Sequence, residues 1–368
     1  MGTVQKRAEK VKAGLHAGHP KLRKTVINQL ALAVGAMLEV QTPNPSELAT
    51  VLPVVPERQE IREQGLRRWL KKPLLARAVI LEPFARTVLA EAARNGQTIR
   101  LSLDPTELGD RFALLRLALQ AGARSLPLAG QVEAGAANLG FAGQPGLLER
   151  VQAWLPPNAT VLRLGERFYP SAAVLAWWQQ HGWQYRRRVK GNLTVDPGFG
   201  ATTTGELADG VTERDLPEVR LCHHGVPTNL GILHQAGQET PWLIALDCQP
   251  TQAAVRDSGA RWVIEPTFSD CKRRGCQREE TQLQAPDRLD RFSLILTLAM
   301  DGWVRIGRDD ALYHPTSLEK KPTRRPIRTM GASNRLDLAS WPGSHVVSVY
   351  CSDGCKLISP YQPSSVRS

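Results

Sequence analysis

The sequence predicts an α/β protein, a mixed sheet flanked by helices, and three observations lead there. From Val26 to Ala93 apolar residues recur at helical spacing in successive segments. At Asn95-Gly96 the pattern turns to short runs of strand character, three in succession. After Gly143 helical and strand patterns alternate, as they do where crossover helices join strands of one sheet.

The elements follow in order. Residues 1–24 hold seven Lys or Arg and one acid, Glu9, and read as a solvated basic arm able to meet phosphate. Val26, Ile27, Leu30, Val34, Met37 and Leu38 then mark an amphipathic helix, which Pro43 and Pro45 end. Ser46 is the expected N-cap of a short helix over residues 47–52. Two more helices are expected over residues 56–70 and 74–93, the first surrounded by Arg58, Arg62, Arg67 and Arg68. Residues 1–94 thus read as a helical DNA-binding region, or as a helical bundle with no such role. Strands are expected over residues 99–103, 112–119, 125–129, 160–164 and 185–190, with helices over residues 143–155 and 171–181. A β-rich insertion follows at about residues 192–240, then a buried strand over residues 242–246 and a buried helix over residues 289–304. Residues 323–368 contain nine serines against eight in the preceding 322 residues, and no helical period. That tail reads as foreign to the rest, frameshifted or otherwise, and mostly disordered.

With 368 residues the chain is long enough for two domains. Its net charge of +12 favours a polyanionic partner. Six scattered cysteines do not make a disulfide framework. No signal peptide and no membrane span are expected, so the reading is of a soluble, cytoplasmic protein. Cys222-His223-His224 and the pair Cys271 and Cys276 lack a second half at zinc spacing.

The stretch with most chemistry runs from Arg261 to Lys272. Arg261 and Glu265 stand four apart and Glu265 and Lys272 seven apart, so a helix would carry all three on one face. Pro266 suits a first turn, which places the helix start near Glu265. A carboxylate between two cations suits a site for metal and phosphate; a surface helix with ordinary ion pairs is the plainer alternative.

This stretch resembles the signature Tyr-x2-Arg-x3-Glu-x6-Lys of DDE transposases of the insertion-sequence-4 class. Arg261, Glu265 and Lys272 match in register, and the Tyr position falls on Ser258. Asp104-Pro105-Thr106, at a strand end, resembles the family's first acidic motif. Leu164-Gly165-Glu166-Arg167-Phe168 resembles the second, with Glu166 where the family has Asp. The likeness covers roughly residues 20–320. It implies an RNase H-like mixed sheet over residues 95–322, with Asp104, Glu166 and Glu265 as catalytic ligands of two Mg²⁺ ions, for which Mn²⁺ could substitute. It implies phosphate contacts from Arg261 and Lys272, with Arg167 beside Glu166. It also implies double-stranded DNA as partner, a homodimer on paired transposon ends, and association with the nucleoid. Glu166 moves its oxygens by about an ångström relative to Asp, a displacement that metal chemistry tolerates poorly. Arg116, Arg163 and Asp301 interrupt apolar patterns. With Glu166, Ser258 and the tail they suggest a degenerate copy.

Overall fold

The computed structural model describes residues 2–313 apart from 43, 56–57, 74–75, 109–110, 122–123, 136–143, 166–171, 224, 236–237, 260–282 and 284. Five helices open the chain: α1 (Thr3–Gly18), α2 (Lys24–Val40), α3 (Pro45–Val51), α4 (Gln59–Trp69) and α5 (Arg77–Ala92). Strands β1 (Ile99–Leu108), β2 (Phe112–Ala121) and β3 (Arg124–Ala134) form a meander. Then α6 (Pro145–Trp154) leads to β4 (Val161–Gly165), and α7 (Ala172–Gln180) to β5 (Gln184–Arg188). The expected insertion contains β6 (Thr194–Asp196), β7 (Thr202–Thr203), β8 (Glu213–Leu221) and β9 (Val226–Leu233). β10 (Trp242–Leu246), α8 (Gln252–Asp257) and α9 (Pro286–Tyr313) complete the described elements.

Two expectations at the N-terminus are corrected. Residues 3–18 are a packed helix, not a solvated arm. Val4, Ala8 and Leu15 fall on one stripe and are buried against α2. The two helices cross so closely at Gly35 that a Cβ there would meet the Val4 carbonyl oxygen at 2.7 Å. Arg7 spans the same crossing, donating to the Leu38 carbonyl at 2.6 Å and pairing with Glu39 at 2.7 Å. The cap of α3 is Asn44, whose side chain accepts the Ser46 N–H at 3.0 Å; Ser46 is already inside the helix, behind Pro45 at the first position.

All ten strands form one sheet, in the order β3-β2-β1-β4-β5-β10-β9-β8-β6-β7. β1, β4 and β5 are parallel neighbours, and the pairs on either side of them are antiparallel. The insertion therefore extends the sheet: β10 returns to pair with β5, and β9 and β8 follow outward. The free half of β8 is guarded against edge-to-edge pairing by Glu213, Arg214, Asp215 and Pro217 and by a bulge at Glu218, whose φ is 55°. The core is continuous from α1 through the sheet to α9. Buried Leu289, Phe292, Ile295, Leu296 and Ala299 line α9, which packs on α2, α5 and β3. Among the described residues no helix is long and apolar enough to cross a membrane. The expectations for residues 323–368 lie outside the described residues.

Candidate active site

β1 and β4 run parallel and paired from Ile99 opposite Val161 to Leu103 opposite Gly165, where the ladder ends. Asp104 is the next residue of β1, and on its other side it is in register with Arg116 of β2. Ligands of open sheets with parallel strands gather in the crevice outside the carboxyl ends of those strands. The first acidic position thus stands where β1 leaves its parallel neighbour. The second, Glu166, follows Gly165 in the chain; Glu166 and Arg167 lie outside the described residues. So do Arg261, Glu265 and Lys272. The expected triad is therefore placed at one position, Asp104, and only through its backbone. Ser258, at the unmatched Tyr position, ends α8, its hydroxyl donating to the Val255 carbonyl at 2.7 Å.

The charges around this strand end are buried ones. Arg116 has no exposed surface, and its partner in β3 is Gly130. Arg77 of α5 lies over Gly130, with Nη1 2.8 Å from where a Cβ would stand. Arg77 pairs with Asp290 of α9 at 3.0 Å. Burial lowers the Arg77 pKa, Asp290 opposes that, and nearby Arg116 and Arg150 add to the lowering.

The opposite face of the sheet holds a second group of cations. Arg163 is in register with Leu101 of β1, and Leu101 with Leu119 of β2, three residues from Arg116; by strand alternation the two arginines point to opposite faces. The Arg163 guanidinium folds over Gly165, where a Cβ would lie 1.8 Å from Nη1, so a side chain at position 165 would displace that guanidinium. It sits 4.2 Å from the Trp178 ring centre, and Arg187 of β5, in register with Gly165, sits 5.4 Å from the same ring. Arg187 is 1% exposed, and among the described residues none of its guanidinium nitrogens has a hydrogen-bond partner. Burial pulls its pKa down to about 10, with the Cys222 thiol a smaller opposing influence. Its neighbour Arg186 points the other way and pairs with Asp247, which also accepts the Tyr185 N–H at 3.0 Å. Sequence reading overlooked Arg187. The signal was available: three consecutive arginines in a strand between buried neighbours force at least one inward.

Arg116 and Arg163, flagged as interruptions of apolar strands, are thus both in the interior, and neither lies on an edge strand of the sheet. Asp301 is half-buried on α9. Among the described residues no group of three His, Cys, Asp or Glu is placed to hold a metal, and Cys222 and His223 form no such centre.

No curated protein matches the chain. The family model described as Transposase DDE domain matches residues 109–301. The match takes in Glu166, Glu265 and the strands β2 to β10, and it begins five residues after Asp104. It covers more than half of the 368 residues, and the chain belongs to the transposase DDE domain family.

Proposed function

We propose that the chain is a DNA transposase of the insertion-sequence-4 class, cutting and joining phosphodiester bonds at the ends of its element. In this reading β3-β2-β1-β4-β5 is the RNase H-like unit of a catalytic domain over residues 95–322, with the β-rich insertion at about 192–240. Residues 1–94 form the helical DNA-binding region, residues 323–368 an atypical tail, and two copies assemble on paired ends beside the nucleoid. The observation that carries the reading is the register of Leu103 with Gly165, each followed in sequence by an acidic residue of the proposed triad.

An all-carboxylate set of Asp104, Glu166 and Glu265 offers the hard oxygen donors that magnesium or manganese prefers, so the residues suit two such ions. Bound metal supplies Lewis-acid stabilisation of the charge on the attacking and leaving oxygens. The chain's own part is to hold those carboxylates on rigid elements and to position DNA. Arg261 and Lys272 contact phosphate, and Arg167 steadies Glu166. A structure-selective nuclease on the same fold would share this site and lack strand transfer.

A second reading, a degenerate copy that binds element ends without chemistry, draws on Glu166 in place of Asp and on a family match that starts beyond Asp104. Mg²⁺-dependent cleavage of a labelled duplex carrying the element's own end separates the two. Cleavage that disappears in Asp104→Asn and Glu265→Gln and rises in Glu166→Asp is the expected result. Cleavage indifferent to Asp104→Asn sinks the proposed triad. Binding without cleavage in both the parent chain and Glu166→Asp makes the remnant the better description.

A further inference from the structure

A row of three residues crosses the sheet at the first acidic position. Asp104 of β1 is in register with Arg116 of β2, and Arg116 with Gly130 of β3. Positions opposite one another in antiparallel strands share a face, with Cβ atoms about 4.5–5.5 Å apart. Pro105 confines the backbone of residue 104 to the extended region, which keeps that register firm.

The row has one cation at its centre and a second over its far end. Arg116 has no exposed surface. A guanidinium stays charged at neutral pH even in the interior, so it needs an anion or other acceptors there. Gly130 leaves room on one side of it, and Arg77 fills that room, with Nη1 and Nη2 2.8 and 2.9 Å from where a Cβ would stand. Asp290 of α9 pairs with Arg77 at 3.0 Å and so holds the second cation in place. The two arginines are near enough to act on each other electrostatically. Arg116 is thus repelled from the Gly130 side, and the position in register on its other side is an aspartate. An arginine is long enough to span the gap between opposite positions.

We propose that Arg116 is a positioning residue for Asp104: its guanidinium holds the carboxylate at the end of β1 and keeps it in place before metal arrives. The inference rests on the reading of Asp104 as the first catalytic acid and adds the residue that supports it. Outer partners of metal-binding carboxylates act in this way, and their loss weakens metal binding or activity about 10–100-fold.

The test begins with the full chain in urea, with neither DNA nor metal present. The parent, Asp104→Asn, Arg116→Met and the double variant form a cycle whose coupling isolates the pair. Asp104→Asn is expected to raise the unfolding constant about tenfold or more, because it leaves Arg116 buried beside Arg77 without its anion. The double variant is expected to recover most of that loss. An acid held only among other acids gives the opposite sign, since Asp104→Asn then relieves repulsion and stabilises the chain. That sign, or a cycle without coupling, overturns the proposal. If Arg116→Met does not fold, the sign in Asp104→Asn decides. The second readout is the Mn²⁺ concentration that gives half-maximal cleavage of the labelled duplex. It is expected to rise about tenfold in Arg116→Met and to return towards the parent's value in Arg116→Lys, which keeps the charge. A purely structural cation leaves it unmoved, so an unchanged or lower value in Arg116→Met overturns the proposal. Coupling in a chain that cleaves nothing upholds the pairing and fails the catalytic reading instead. Cleavage lost in Asp104→Asn without coupling does the reverse.

Discussion

The two faces of the sheet meet the same problem, a buried guanidinium, in different ways. Under α5 and α9, Arg77 lies over Gly130 and is paired with the carboxylate of Asp290. Under α7, Arg163 and Arg187 share the ring of Trp178. An ion pair gives a directed, strong partner whose loss leaves a bare charge in the interior. A ring gives a weaker attraction, and it also fills volume. The faces should therefore break differently: the first at its anion, the second at its ring, and on the second a cation can be removed at little cost.

The largest effect is expected at Trp178. Its side chain is wholly buried and is the largest in that class. Trp178→Ala opens a cavity and strips the ring from two guanidinium groups, a loss of about 3–5 kcal/mol. The midpoint of urea unfolding, at unchanged slope, measures it. A loss under about 1 kcal/mol would mean that the ring is not the support of the α7 face.

Next comes Asp290→Ala, which leaves Arg77 in the interior without its carboxylate. The penalty for breaking a fully buried pair is discounted here because the Asp290 side chain is 32% exposed, which leaves about 2 kcal/mol. The double change Arg77→Met with Asp290→Leu should recover most of that loss. If the double variant is no better than Asp290→Ala alone, the pair is not what organises the α5 face.

The contrast between faces was only partly legible in the sequence. Element identities came through because they are local: the alternation before Asp104, the apolar period of α2, the apolar run of β10. The α1 stripe was equally local. Val4, Ala8 and Leu15 show it, but seven cations among the first 24 residues drew attention to solvent and away from the spacing. The pairing of β10 with β5, which turns an insertion into a continuation of the sheet, joins residues about sixty positions apart, and no short-range pattern encodes it. The candidate site divides the same way. Asp104 at a strand end is a local signal, whereas its place beside the end of β4 is set by a crossover through β2, β3 and α6. Arg116 and Arg163 were visible as charges in apolar runs. What they meet was not: Trp178, beside Arg163, lies on another element, and Arg77, a second cation near Arg116, is about forty residues away from it.

The smallest effect expected has the opposite sign. Arg187 is buried as fully as Trp178, yet among the described residues its five N–H donors have no acceptor. A ring centre at 5.4 Å returns less than the desolvation of the charge costs. Replacing such a cation with an apolar residue of similar length is neutral to favourable, so Arg187→Met should raise stability by about 1 kcal/mol near neutral pH. Linkage gives a second readout. Burial lowers the folded-state pKa to about 10, well below the ordinary guanidinium value, so above pH 10 the unfolded chain holds the proton more firmly than the folded one. The penalty on the parent chain is therefore complete below pH 10 and relieved as the pH rises beyond it, and the advantage of Arg187→Met should shrink over that interval. Unfolding both chains in urea at pH 8 and pH 10.5 measures the difference. A variant less stable than the parent by 2 kcal/mol at pH 8 would show that Arg187 has an anionic partner in the folded protein. The α7 face would then be a second ion-paired face, and the distinction drawn between the two sides of the sheet would fail.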